Sequence, residues 1–349
     1  MADTSLEQFR TWLERKSRAE SFFSATFWFL FSSLSDQDFA STLGLREHLL
    51  AQVPCSDWSV TSFVPRTRGS TLQATFWHLP VRQDNVHILF SLDKPGKALR
   101  PMYRLLARTR GKVQLFPLGY PLVKSAVKII SKSCADQPYV VRGVSYPSRP
   151  NEGGADISLK AGSAPSFFSR LEEEKRVLKT VRLRFRTAEG SACEFSMGRP
   201  GYMSYHHGDF RPLLNLITEE LTGALTNSVR PFEKARGHFV EFRFSEPLFA
   251  NRANYAAVVE ALSRLPRTSI ALLHTNPYFH ATMTNYEDGG EFDIFITGHS
   301  SIHVQGRADA SPASFLRIQD GLTESFRDAT VTLGKPHEFS LRDLMEGRV

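Results

Sequence analysis

The residues best suited to chemistry lie in three short histidine clusters. In YHHGD, His206 and His207 precede Asp209 at the start of an apolar periodic segment. A histidine there can act as a general base, and a helix N-terminus also favours an anion. His274 and His280 flank TNPYF, and HSSIH places His299 and His303 four apart. On a strand His299 and His303 would share a face. With Glu287, Asp288, Glu291 or Asp293 they would offer metal ligands. The spacing matches no HExxH pattern, and Walker A, GxGxxG, GxSxG and kinase signatures are absent. A pair of histidines is also what an ordinary strand end looks like. The expectation is therefore a non-catalytic protein without a cofactor. His206, His207 and Asp209 stand as catalytic candidates, and His299 and His303 as metal candidates.

A stronger pattern is electrostatic. From Lys94 to Ala135 the chain carries Lys94, Lys97, Arg100, Arg104, Arg108, Arg110, Lys112, Lys124, Lys128 and Lys132, with no Asp or Glu. That segment carries +10, against +7 for all 349 residues, which leaves −3 for the rest. Lys124, Lys128 and Lys132 recur every four residues, one helical turn apart, as do Arg104 and Arg108. Like charges at that spacing repel mildly, so helix stability does not select them. KTVRLRFRT adds Arg182, Arg184 and Arg186 on one face of an alternating strand, with Val181, Leu183 and Phe185 on the other. Arg243 in VEFRF extends that set if the two strands pair. Glu194 and Glu241 are the cross-strand acids that would balance it.

These cations predict binding to a polyanion by charge neutralisation and counterion release, with forked arginine contacts to phosphate oxygens. The partner expected is nucleic acid, DNA or RNA undecided, with the protein a subunit of a larger assembly. Docking on an acidic protein partner uses the same residues. A metal-dependent hydrolase or nuclease built on the C-terminal histidines and acids is the third reading.

Several elements must position these groups. A helix is expected over residues 4–18, another over Leu43–Gln52, and strands over Leu72–Leu79 and Asn85–Leu92. Phe22–Phe31 is half the length of a bilayer span and reads as a buried segment. Pro101 suits the first turn of the arginine helix, with Gly111 just past its end, and Pro121 starts the lysine helix. Residues 146–168, rich in Gly, Pro and Ser, read as a linker or long loop between an N-terminal basic domain (1–145) and a C-terminal domain (169–349). The last third reads as strand, helix, four strands with Asp288-Gly289 at a hairpin tip, then a helix capped by Ser311. That order resembles the saddle-shaped half-repeats of TATA-binding-protein-like folds, and the likeness is one of element order.

The fold class expected is α+β, antiparallel sheets with helices packed on one face. The composition, 41% hydrophobic and 23% charged, supports ordinary cores. Three dispersed cysteines make no disulfide framework, and the first residues carry acids where a secretory leader needs basic and apolar runs. A cytoplasmic location without membrane association is the expectation.

Overall fold

A computed structural model describes residues 3–19, 23–47, 58–65, 71–79, 81, 85–132, 134–147, 156–174, 176–233, 235, 239–276, 278–296, 298–307, 310–326 and 330–333. The fold is α+β with two antiparallel sheets. Two compact units emerge, 1–146 with 155–226, and 147–154 with 227–349. Among the described residues no helix is long and apolar enough to cross a membrane.

The larger sheet comprises β1 (Ala25–Phe31), β2 (Arg46–Glu47), β3 (Trp58–Pro65), β4 (Thr71–Leu79), β5 (Val86–Ser91), the short β6 (Gln114–Leu115), β7 (Tyr139–Pro147), β8 (Ile157–Ser163), β9 (Arg176–Arg186), β10 (Ala192–Gly198) and β11 (Tyr202–Gly208). Their order is β2-β3-β4-β5-β1-β11-β10-β9-β7-β8, with β6 beside β1. Within the apolar run expected to be buried, Ala25–Phe31 forms the central strand β1, buried on both faces, which explains its unbroken hydrophobicity.

Register sorts the side chains into two faces. Arg182 lies opposite Ser196, Ser196 opposite Ser204, and Ser204 opposite Thr26. Thr26 shares its face with Trp28 and Leu30, by the two-residue period of a strand. On that face α2 (Asp36–Leu43) and α3 (Pro95–Ala107) pack through Phe39, Met102 and Leu105 onto Trp28, Leu30, Phe76 and Leu89. The opposite face carries Phe27, Phe90, Val181, Leu183 and Phe185. There Phe9 and Trp12 of α1 (Asp3–Ala19) meet Phe90. Ile129 and Ile130 of α4 (Tyr120–Lys132) share a hollow with Phe185 on that side. Helices therefore cover parts of both faces of this sheet.

Several local expectations change. Helix α3 begins at Pro95, not at Pro101. A proline at the first position loses no helical hydrogen bond, and the buried Pro101 is accommodated inside the helix. The helix expected over Leu43–Gln52 does not start there: Gly44, at φ +68°, ends α2, and Arg46–Glu47 is a strand. Residues 48–57 lie outside the described set. The segment 146–168, expected as linker or loop, contains β8, paired with β7, and the start of α5 (Ala164–Glu173). Ser163 caps that helix through the Ser166 N–H and Pro165 sits in its first turn, so Ser and Pro mark a helix start here. Residues 148–155 are not described.

Helix α6 (Arg211–Asn215) runs through a π-helical stretch, Leu216–Leu221, into α7 (Thr222–Glu233). The smaller sheet has β12 (Phe239–Arg243), β13 (Thr268–His274), β14 (Phe279–Asn285), β15 (Glu291–Ile296), β16 (Ser301–Gly306) and β17 (Thr330–Leu333), ordered β13-β14-β15-β16-β12-β17. Helix α8 (Ala253–Ser263) and helix α9 (Pro312–Phe326) share one of its faces, where Phe279 meets Tyr255 and Phe292 meets Phe315. From β12 to α9 the element order is the expected β-α-β4-α.

Candidate functional site

The polar groups of the larger unit converge on the part of the sheet face beside α3, over β9, β10 and β11. Glu194 is the centre. Its side chain is 0% exposed, yet Arg182, Arg184 and His207 all reach it, at 2.6 Å from Arg184 Nε and 2.8 Å from His207 Nε2. The arginines come from β9, where alternation points Arg182, Arg184 and Arg186 to one side. Burial alone would raise the Glu194 carboxyl, but Arg184, Arg182 and His207 hold it below the usual carboxylate range.

A β-bulge supplies the histidines. Glu194 lies opposite His207 and Phe195 opposite Tyr205, so His206 is an extra residue on β11. Simple alternation would send His206 and His207 to opposite faces. The bulge brings both to the polar side, where His206 Nε2 lies 2.5 Å from Ser196 Oγ. Burial, then Arg182, pushes His206 down to about 4, with His207 and Lys94 acting in the same sense. Lys94, at the N-terminus of α3, thereby belongs electrostatically to this cluster.

The three catalytic candidates do not act on one point. His206 meets Ser196, His207 meets Glu194, and the Asp209 carboxylate accepts the Arg211 N–H at 2.8 Å. An imidazole whose conjugate acid sits near 4 is poorly matched to proton abstraction at neutral pH. A cleft of about 830 Å³ opens beside them, lined by His206, His207, Asp209, Arg10, Arg18 and Arg211 among others.

Gly208 closes the bulged strand at φ +105°, and a Cβ there would lie 2.0 Å from the Ala192 carbonyl oxygen. Gly208→Ala is therefore expected to cost roughly 1–3 kcal/mol of stability, read from the denaturant midpoint. An unchanged midpoint would show that the bulge tolerates a side chain.

The basic helices separate. Arg100, Arg104, Arg108, Arg110 and Lys112 are all exposed on or just beyond α3, on the same side of the sheet as Arg182. Lys128 and Lys132 are exposed on α4, and Lys124 is tied to Glu172 and lies over the Tyr120 ring. Because α4 packs on the other face, the lysine and arginine stripes do not form one surface.

Arg243 does not extend the β9 arginines. It lies on β12 in the smaller sheet and pairs with Glu241 at 2.9 Å. The metal candidates also separate. His299 falls in a bend before β16, so it does not share a strand face with His303, whose Nε2 lies 3.2 Å from Ser301 Oγ. The nearby acids serve local structure: Asp293 meets His280 and Arg307, Glu291 meets Arg307, and Glu287 meets Arg317. Among the described residues, neither His299 nor His303 belongs to a group able to hold a metal.

Sequence reasoning did not find Ser196, the closeness of Lys94 to His206 or the shared orientation of the two histidines. Only the bulge and the strand order bring them together. No protein-family model matches the chain, and no curated protein matches it.

Proposed function

We propose that the protein binds nucleic acid, without catalysis, through the side of the larger sheet that carries β9–β11 and α3. One observation carries this reading. The Arg182 and Arg184 guanidinium groups and the His207 imidazole converge on a single fully buried carboxylate, while Arg182 and Arg184 stay 39% and 52% exposed. One carboxylate cannot neutralise two guanidinium groups. It fixes their direction and leaves donor edges toward solvent, where phosphate oxygens fit the arginine fork. Arg100, Arg104 and Arg108 continue the positive side along α3, one turn apart. A backbone laid along that side would release counterions at each contact. Membership in a larger assembly is part of the same reading, since a non-catalytic binding surface acts through what it holds in place.

Anisotropy titrations with labelled duplex DNA, single-stranded DNA and RNA test it. Binding should weaken linearly in log–log form as salt rises from about 50 to 200 mM. Arg100→Ala, Arg104→Ala and Arg108→Ala combined should reduce the salt slope by roughly one per lost phosphate contact. Lys128→Ala with Lys132→Ala, on the other face, should change it less. Absence of binding at low salt would overturn the proposal, as would an unchanged slope in the folded arginine variant. In that event a stoichiometric acidic protein surviving nuclease treatment would identify the surface as a protein-docking site.

A further inference from the structure

A second cluster lies in the same unit at the β4–β5 pair, separated from the β9 arginines by β1, β11 and β10 in the strand order. His78 projects from the end of β4, His87 from the start of β5, and Asp36 from the first turn of α2. Their donor atoms all lie within 4.8 Å of one another. His87 Nδ1 is 3.5 Å from Asp36 Oδ1. Bonds of about 2.0–2.1 Å at tetrahedral angles place neighbouring ligand atoms roughly 3.3 Å apart, so a small contraction would close the set on an ion.

The surroundings are unusual for core histidines. Both imidazoles are buried, His78 at 7% and His87 at 5% exposure. The Phe39 ring stacks on His87 at 3.9 Å and 8°. The backbone at Ser32 and Leu34 draws on His87, yet its Nε2 remains buried with no partner of hydrogen-bond geometry among the described residues. The nitrogen that faces Asp36 is Nδ1, which leaves Nε2 for the supporting contact that orients a metal-bound ring. Asp36 is 73% exposed, which leaves an entry path and supplies the anionic ligand.

We propose that Asp36, His78 and His87 bind one divalent transition ion of the zinc class. Two imidazoles and one carboxylate suit that class better than Mg²⁺ or Ca²⁺, which take oxygen ligands. Three protein ligands leave a fourth position for water or an anionic oxygen at the Asp36 side. The ion would join α2 to the β4–β5 pair, and its occupancy does not depend on the nucleic-acid reading.

Chelator-treated full-length protein titrated with Zn²⁺ against a chromophoric competitor decides the matter, with Co²⁺ as a spectroscopic probe. The expected result is one Zn²⁺ per chain, a tetrahedral Co²⁺ absorption band, and a melting temperature that rises with Zn²⁺. Asp36→Ala changes an exposed side chain and should fold. It should weaken Zn²⁺ about tenfold or more and remove the thermal shift. His303→Ala should leave binding unchanged. His78→Gln and His87→Gln serve as further tests where circular dichroism shows them folded. Substoichiometric Zn²⁺ in the wild-type protein would overturn the site, as would equal affinity in Asp36→Ala. The two histidines would then be neutral core side chains packed on Phe39.

Discussion

Arg182→Ala combined with Arg184→Ala is expected to lower the unfolding free energy by about 3 kcal/mol at pH 7. The reason is not the loss of two surface pairs, since exposed ion pairs contribute little. Glu194 is fully buried, and without the arginines its charge would keep only the His207 imidazole of the three side chains that now reach it. Uncompensated buried charge typically costs 3–5 kcal/mol. The lower end applies because water can enter the volume the two side chains vacate. Urea unfolding of the wild type and the double variant measures the difference directly.

The pH dependence follows with a definite sign. In the wild type the folded Glu194 carboxyl lies below its unfolded value. It therefore stabilises above the unfolded value, and that contribution is lost as pH falls through the folded one. In the double variant burial dominates and the folded value rises above the unfolded one. The penalty is then present at neutral pH and disappears as pH falls through the raised value. The gap between the two proteins should narrow from pH 7 toward about pH 4. Glu194→Gln added to the double variant should recover most of the loss at pH 7, because an amide needs no counter-charge. A triple variant no more stable than the double would show that Glu194 is not the residue that suffers.

How much of this was legible in the residues depends on range. The alternation in VRLRFR fixes which side chains share a face, and β9 follows it, because one buried face enforces the two-residue period. The unit from β12 to α9 was readable for a related reason. Its neighbours in sequence are mostly neighbours in space, and turn residues such as Asp288-Gly289 mark the hairpins. The site itself was not. A bulge at His206 defeats the period-two rule, and a single sequence carries no mark of the extra residue. The separation of the two basic helices depends on strand order: β5-β1-β11 joins segments far apart in the chain, and helical periodicity says which side of a helix is apolar, not which face of a sheet it meets. His78 and His87 come together only through the β4–β5 pairing, and Asp36 only through the packing of α2. Pro101 shows a limit of local rules, since Pro95 takes the first-turn position assigned to it.

The second large effect is expected from Phe90→Ala, at about 4 kcal/mol. Phe90 is 1% exposed at the centre of an aromatic cluster. Phe9 and Phe27 lie 5.3 Å away between ring centroids, Trp77 5.7 Å and Trp12 6.4 Å. Truncation removes a large apolar side chain and leaves a cavity that rings held in edge and tilted contacts fill poorly. The loss should also be uneven. Phe9 and Trp12 are on α1 and meet this ring directly, so α1 should lose its hold on the sheet before α3, whose core contacts lie on the opposite face. Hydrogen exchange should accelerate in residues 8–19 more than in 98–106 under native conditions. Arg10 and Arg18 of α1 line the cleft beside His207, so opening of α1 would deform that cleft. It would leave the α3 arginine stripe in place, so the proposed nucleic-acid binding through that stripe should be no weaker in the folded variant. A cost under about 1 kcal/mol, or equal exchange in α1 and α3, would mean that the ring cluster is not what fastens α1.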